Sequence, residues 1–129
     1  MGRVFELFDS RVSNFRFQEK KAELHFSFAY IYLEHNADVV WSQEVTVLMD
    51  NAMFEAPLPT LPNTVVEGYL VLDGERYDSI PLPLPEKLYG RIYLKFADES
   101  VLALQGEHLE IELTGQKVFL SERLGVAKK

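Results

Sequence analysis

Residues 22–50, AELHFSFAYIYLEHNADVVWSQEVTVLMD, contain two runs of alternating side chains on either side of a short polar break. In the first, Leu24, Phe26, Phe28, Tyr30 and Tyr32 share one face, and Glu23, His25, Ser27 and Ala29 share the other. In the second, Val39, Trp41, Val45, Val47 and Met49 oppose Ser42, Glu44, Thr46 and Asp50. A period of two is the signature of a half-buried strand. A turn at His35-Asn36-Ala37-Asp38 joins the two runs into a hairpin. Pairing Tyr32 with Trp41, Phe28 with Val45, Phe26 with Val47 and Leu24 with Met49 brings both apolar faces together. A slip of one residue would set charge against aromatic, although registers displaced by two also satisfy the pattern.

Outward from this hairpin, strand signals continue. Arg3 to Phe8 is too short to separate a helical turn from an edge strand. Asp9-Ser10 suggests a turn or local cap, Val12 to Phe17 a strand, and Glu19-Lys20-Lys21 the polar turn into the hairpin. Pro57, Pro59 and Pro62 exclude a central strand and predict an extended strap, because proline lacks the ladder donor. Val65 to Leu72 and Glu75 to Ile80 flank Asp73-Gly74, a dipeptide suited to a turn that needs positive φ at both positions. Pro81, Pro83 and Pro85 predict a second strap. Leu88 to Phe96 alternates, Asp98-Glu99 predicts a tight turn, and Val101 to Gln105 follows. Gly106 marks a turn or bulge before Leu109, Ile111 and Leu113, and Thr114-Gly115 predicts a turn into Lys117 to Ser121. The expectation is one all-β domain over 1–129, an antiparallel sandwich or barrel of eight or nine strands, with a frayed tail from about 122.

The 129 residues are 47% hydrophobic and 12% aromatic, a composition that builds a globular core rather than a disordered chain. No cysteine is present, which excludes disulfides, thiol nucleophiles and thiolate metal sites. Glu6 and Asp9 interrupt the apolar run that a secretory leader needs, and no stretch is long and apolar enough for a spanning helix. A cytoplasmic protein without membrane contact is expected. Net charge is −7, and residues 22–75 hold nine carboxylates without one Lys or Arg. Such a field disfavours nucleic acid and suits either a solvated surface or a basic protein partner.

Candidate chemistry is sparse. His25, His35 and His108 fall on separate elements without ligand spacing, so no metal or other cofactor is expected. Glu110 and Glu112 share a strand face, as acid and base pairs do in glycoside hydrolysis, but outward carboxylates in alternation are common in an acidic chain. No nucleophile elbow, phosphate loop or dinucleotide fingerprint occurs. No catalytic residue is assigned, and an enzyme is not expected. Tyr30, Tyr32 and Trp41, together with Tyr69, Tyr77, Tyr89 and Tyr93, are candidates for an aromatic surface that stacks a sugar or another small ligand. Glu23, Asp38, Trp41 and Glu44 are the candidate interaction surface.

The segments Phe8-Asp9-Ser10-Arg11-Val12, His25-Phe26-Ser27-Phe28-Ala29-Tyr30-Ile31, Trp41, Tyr77-Asp78-Ser79-Ile80-Pro81-Leu82-Pro83 and Gly106-Glu107 resemble a family of small bacterial all-β proteins without an assigned activity. The chain departs from that pattern where Ser79-Ile80-Pro81 follows Tyr-Asp in place of Asn-Leu-Ile-Pro. The resemblance implies a bacterial source and an all-β domain, and it assigns no catalytic residue. Two functional classes follow from the sequence, with an unrecognised hydrolase that uses carboxylates as a third. One is a non-enzymatic binding protein with an acidic face, comparable in size and charge to toxin-neutralising immunity proteins. The other is a β-sandwich that binds a small ligand or carbohydrate through its aromatics.

Overall fold

The computed structural model describes residues 2–84 and 89–120, which form eight strands in a single antiparallel sheet without a helix. In chain order they are β1 (Arg3–Gln18), β2 (Lys21–Leu33), β3 (Asn36–Phe54), β4 (Asn63–Leu72), β5 (Glu75–Tyr77), β6 (Ser79–Leu82), β7 (Gly90–Phe96) and β8 (Val101–Phe119). The strand order is β5-β4-β7-β8-β3-β2-β1-β6. A further pairing of Arg11 with Thr64 and Val12 with Asn63 joins β1 to β4. The six strands β1, β2, β3, β8, β7 and β4 thereby form a hydrogen-bonded circuit around the core.

A bend in β1 makes that joint possible. Arg3 to Glu6 lie between β2 and β6, whereas Arg11 and Val12 lie between β2 and β4. Between these segments Asp9 takes a left-handed conformation, with φ 67°, and the ladder to β2 slips. Ser10 is fully buried, and its hydroxyl donates to the carbonyl of Leu7. That bond satisfies a backbone acceptor where the sheet is interrupted. The opening of the chain is therefore a strand, and Asp9-Ser10 is a bulge inside it rather than a turn.

The central hairpin forms, in a different register. Leu24 opposes Val47 and Phe26 opposes Val45, displaced by two residues from the pairing expected above. A bulge at Ser27 and Phe28 then shifts the rest, so that Ile31 opposes Trp41 and Tyr32 opposes Val40. The extra residue reverses the faces of β2 beyond it. Ala29 and Ile31 enter the core at 0% exposure, while Phe28, Tyr30 and Tyr32 stand half-buried on the outer side. Inside, Phe5 meets Phe26 edge to face at 5.2 Å, and Leu24, Val45, Leu70, Ile92, Leu94 and Leu102 pack around them.

The turns obey local rules with one surprise. Asp73 and Gly74 have φ of 48° and 83° and close the β4–β5 hairpin as expected. Glu19 and Lys20 close β1–β2 in the same manner, with φ of 52° and 65°, although neither is glycine. Asp98 organises the β7–β8 turn by accepting from the hydroxyl and the backbone N–H of Ser100, which hold its carboxyl below the usual range.

Two expectations are corrected. Pro81 belongs to β6, a terminal strand of the sheet that tolerates a missing donor, rather than to a strap. Thr114-Gly115 is not a turn, because β8 continues to Phe119 with Gly115 at a bulge of φ 69°. Gly106 marks no turn, but it lies within β8 at a shift of the β3–β8 ladder, in keeping with the bulge expected there, and an added Cβ would come within 2.8 Å of the Asp50 carbonyl oxygen and 2.9 Å of Met49 Cβ. The Pro57–Pro62 segment is a strap as expected, with Leu61 against the core. Pro85, Leu88 and the tail from about 122 lie outside the described residues.

Phe26→Ala is expected to destabilise the protein by about 3 to 5 kcal/mol, and Phe28→Ala by about 1 kcal/mol, in denaturant unfolding. Equal losses would mean that the face reversal at the bulge is wrong. Gly106→Ala forces backbone apart where β3 and β8 cross and is expected to cost about 1 to 3 kcal/mol. A melting temperature equal to wild type would remove that close approach from the account.

Candidate functional site

Directly opposed residues of an antiparallel pair project to the same side, so the registers define rows across the outer surface. Arg16, Glu23, Leu48 and Glu110 form one row over β1, β2, β3 and β8. Asn14, His25, Thr46 and Glu112 form the next. Cations gather toward the β1–β2 turn at Arg16 and Lys21, and carboxylates toward β3 and β8 at Glu44, Glu110 and Glu112.

Both histidines on this surface are held by neighbours. His25 places Nδ1 3.2 Å from Thr46 Oγ1 and Nε2 3.0 Å from Glu44 Oε1. His108 places Nδ1 3.1 Å from Asp50 Oδ2, and Asn51 donates from Nδ2 to Glu107 Oε1 at 2.9 Å. Asn51 and His108 both have left-handed backbones, with φ of 46° and 51°, and sit where the β3–β8 ladder shifts twice. These back-to-back bulges turn the strands away from the flat surface. The result is a groove of 540 Å³ bounded by Arg16, Lys21, Glu23, Asp50, His108 and Glu110.

Glu23 and Glu44 both lie on this outer face, as the sequence predicts. Asp38 is exposed at the far end of the hairpin, where its N–H donates to Asn36 Oδ1 at 3.3 Å. Trp41 corrects the expected sets twice. It is 2% exposed, facing the core under Phe119 at 5.7 Å between ring centres, and Lys117 Nζ lies 4.8 Å from its ring centre. Its indole N–H is occupied by Gln43 Oε1 at 3.0 Å. The bulge that shifts β2 by one residue sends Tyr30 and Tyr32 outward while Trp41 stays inward, so the three do not form one aromatic surface. Tyr30 instead packs against Phe28 at 5.0 Å.

Glu110 and Glu112 do share the outer face of β8. Glu110 also lines the groove beside Arg16 and His108. Among the described residues, no group of three His, Asp or Glu side chains is placed to hold a metal, and His35 is exposed in its turn. The phenol of Tyr77, on β5, is raised above its usual range, because its hydroxyl proton is held by the Glu75 carboxylate. Sequence reasoning missed Arg16, Lys21 and His108 as neighbours of the acidic residues. Arg16 and Lys21 were within reach once the Glu19-Lys20 turn was known, whereas His108 depends on the β3–β8 bulges, which no spacing signals.

No helix among the described residues is long and apolar enough to cross a membrane. No protein-family model, curated protein or solved structure matches the chain.

Proposed function

We propose that this is a non-enzymatic cytoplasmic binding protein whose acidic outer face, on β3 and β8, meets a basic protein partner. The observation that supports this reading most is the row structure. Strands carrying Glu44, Glu110 and Glu112 lie side by side, and Glu23 completes the field from β2. Carboxylates gathered on one face give a local potential that raises encounter rates with a cationic surface and rejects anionic ones. His25 and His108 bond the Glu44 and Asp50 carboxylates within this field. A carbohydrate-binding role through Tyr30, Tyr32 and Trp41 has less support, since Trp41 lies in the core.

Glu44→Lys combined with Glu112→Lys reverses charge at two exposed positions on adjacent strands. With the tagged protein as bait, a stoichiometric basic partner should be retained at low salt and released as salt rises. The double variant should associate with it roughly tenfold more slowly in stopped flow, with a flatter salt dependence. Association at the wild-type rate across ionic strengths would sink the proposal. A partner that resists salt would do the same.

A further inference from the structure

Arg76, Arg91 and Lys95 follow the stretch without cations, and the topology collects these three on another sector of the circuit. Tyr69 of β4 and Tyr93 of β7 are directly opposed, and their rings stack at 5.1 Å between centres with 19° between planes. The Arg76 guanidinium lies 4.1 Å from the Tyr69 ring centre and is anchored to Asp78 at 3.0 Å. A line of flat groups therefore runs across the outer face, from guanidinium to ring to ring. The next residue in that line is Ala103 of β8, which opposes Tyr93 on its other side. A methyl group cannot continue the stack. Beside it lies a groove of 230 Å³ walled by Met53, Phe54, Glu55, Arg91, Ala103 and Gln105.

The spacing suits a guest ring. Neighbouring strands lie about 4.8 Å apart, so a planar group above Ala103 would sit one strand spacing from Tyr93, within the range of offset stacking. Arg91 and Lys95 flank Tyr93 two residues to either side on the same strand, and share its face by alternation. Neither has an ion-pair partner among the described residues, although Glu67 stands across from Lys95. Met53 is 64% exposed and can adapt to a guest, while Glu55 offers an acceptor and Gln105 both a donor and an acceptor to the edge of a ring.

We propose that this groove binds a nucleotide, with the base continuing the Tyr69–Tyr93 stack over Ala103 and the phosphate held by Arg91 and Lys95. A simple aromatic acid would use the cations but leave Glu55 and Gln105 without work. A neutral sugar would use the ring face but not the charge. The same base and phosphate could come from a free mononucleotide or from a single strand. The net charge of −7 opposes a long polyanion, which assigns the site to the free nucleotide. This site is separate from the acidic face, because it lies on β4, β7, the first half of β8 and the end of β3 beyond Asp50, whereas Glu44, Glu110 and Glu112 lie where β3 and β8 pair on the other side of their bulges.

The test uses isothermal titration and melting shifts of the full chain with AMP, UMP, adenosine, a short oligothymidylate and a neutral disaccharide. AMP or UMP at millimolar concentration should raise the melting temperature, and adenosine should bind about tenfold more weakly than AMP. Ala103→Leu fills the stacking position and should abolish binding, while Arg91→Gln should weaken it about tenfold. Should Ala103→Leu fail to fold, Arg91→Gln on the exposed side of β7 still decides the matter. No response to either mononucleotide would overturn the proposal, as would undiminished binding by either variant. Tighter binding of the oligonucleotide would overturn the assignment to a free nucleotide. A disaccharide response equal to that of AMP would show that the charge plays no part.

Discussion

The hydrogen bond from buried Ser10 to the Leu7 carbonyl stabilises the break in β1 on which the architecture turns. A sixteen-residue strand that kept one pairing partner on each side would extend the sheet as an open ribbon. Because β1 bends at Asp9, its first half can hold β6 and its second half can reach β4. A buried polar break is tolerated only when its acceptor is satisfied within the protein, and Ser10 supplies that donor. The matching bulge at Ser27 and Phe28 lets β2 follow the bend while Phe5, Phe26 and Ile31 remain inside.

The circuit brings carboxylates from two distant parts of the chain onto one sector. Hairpin residues 22–50 build the sector that carries Glu23 and Glu44, and β8 adds Glu110 and Glu112 where it pairs with β3. The first part of the same β8 pairs with β7, which carries Arg91 and Lys95. One strand of nineteen residues thus borders both fields, and its bulge at His108 lies close to the change of partner. Burial of the apolar alternate positions holds the two surfaces in fixed relation.

Much of the fold was legible in the sequence because period-two alternation and Asp73-Gly74 are local signals with local causes. What escaped were the bulges at Asp9, at Ser27 and Phe28, and at Gly115. The bulge at Ser27 and Phe28 has no glycine or proline to announce it, yet it inverts the exposure of Phe28, Tyr30 and Tyr32. Glu19-Lys20 adopts a turn normally marked by glycine, so the sequence showed a polar break without its geometry. Gly115 misled in the opposite sense, since a left-handed residue also serves a bulge within a continuing strand. Of the candidate surface, Glu23 and Glu44 were legible from alternation alone. Trp41 was legible as a core residue by the same alternation with Val45 and Val47, and its assignment to a surface set went against that pattern. The Tyr69–Tyr93 stack required the register of β4 against β7, and its end at Ala103 required β8 as well.

The joint between β1 and β4 is narrow, consisting of two residue pairs assisted by a bond from Arg11 to Thr64 Oγ1 at 3.2 Å. Elsewhere the circuit is held by long ladders and a continuous apolar interior. Local opening of a protein follows its least costly path, and here that path is the seam, whose release breaks few bonds and leaves the central hairpin intact. Release of that seam would convert the closed circuit into a curled sheet that ends in β5 and β6.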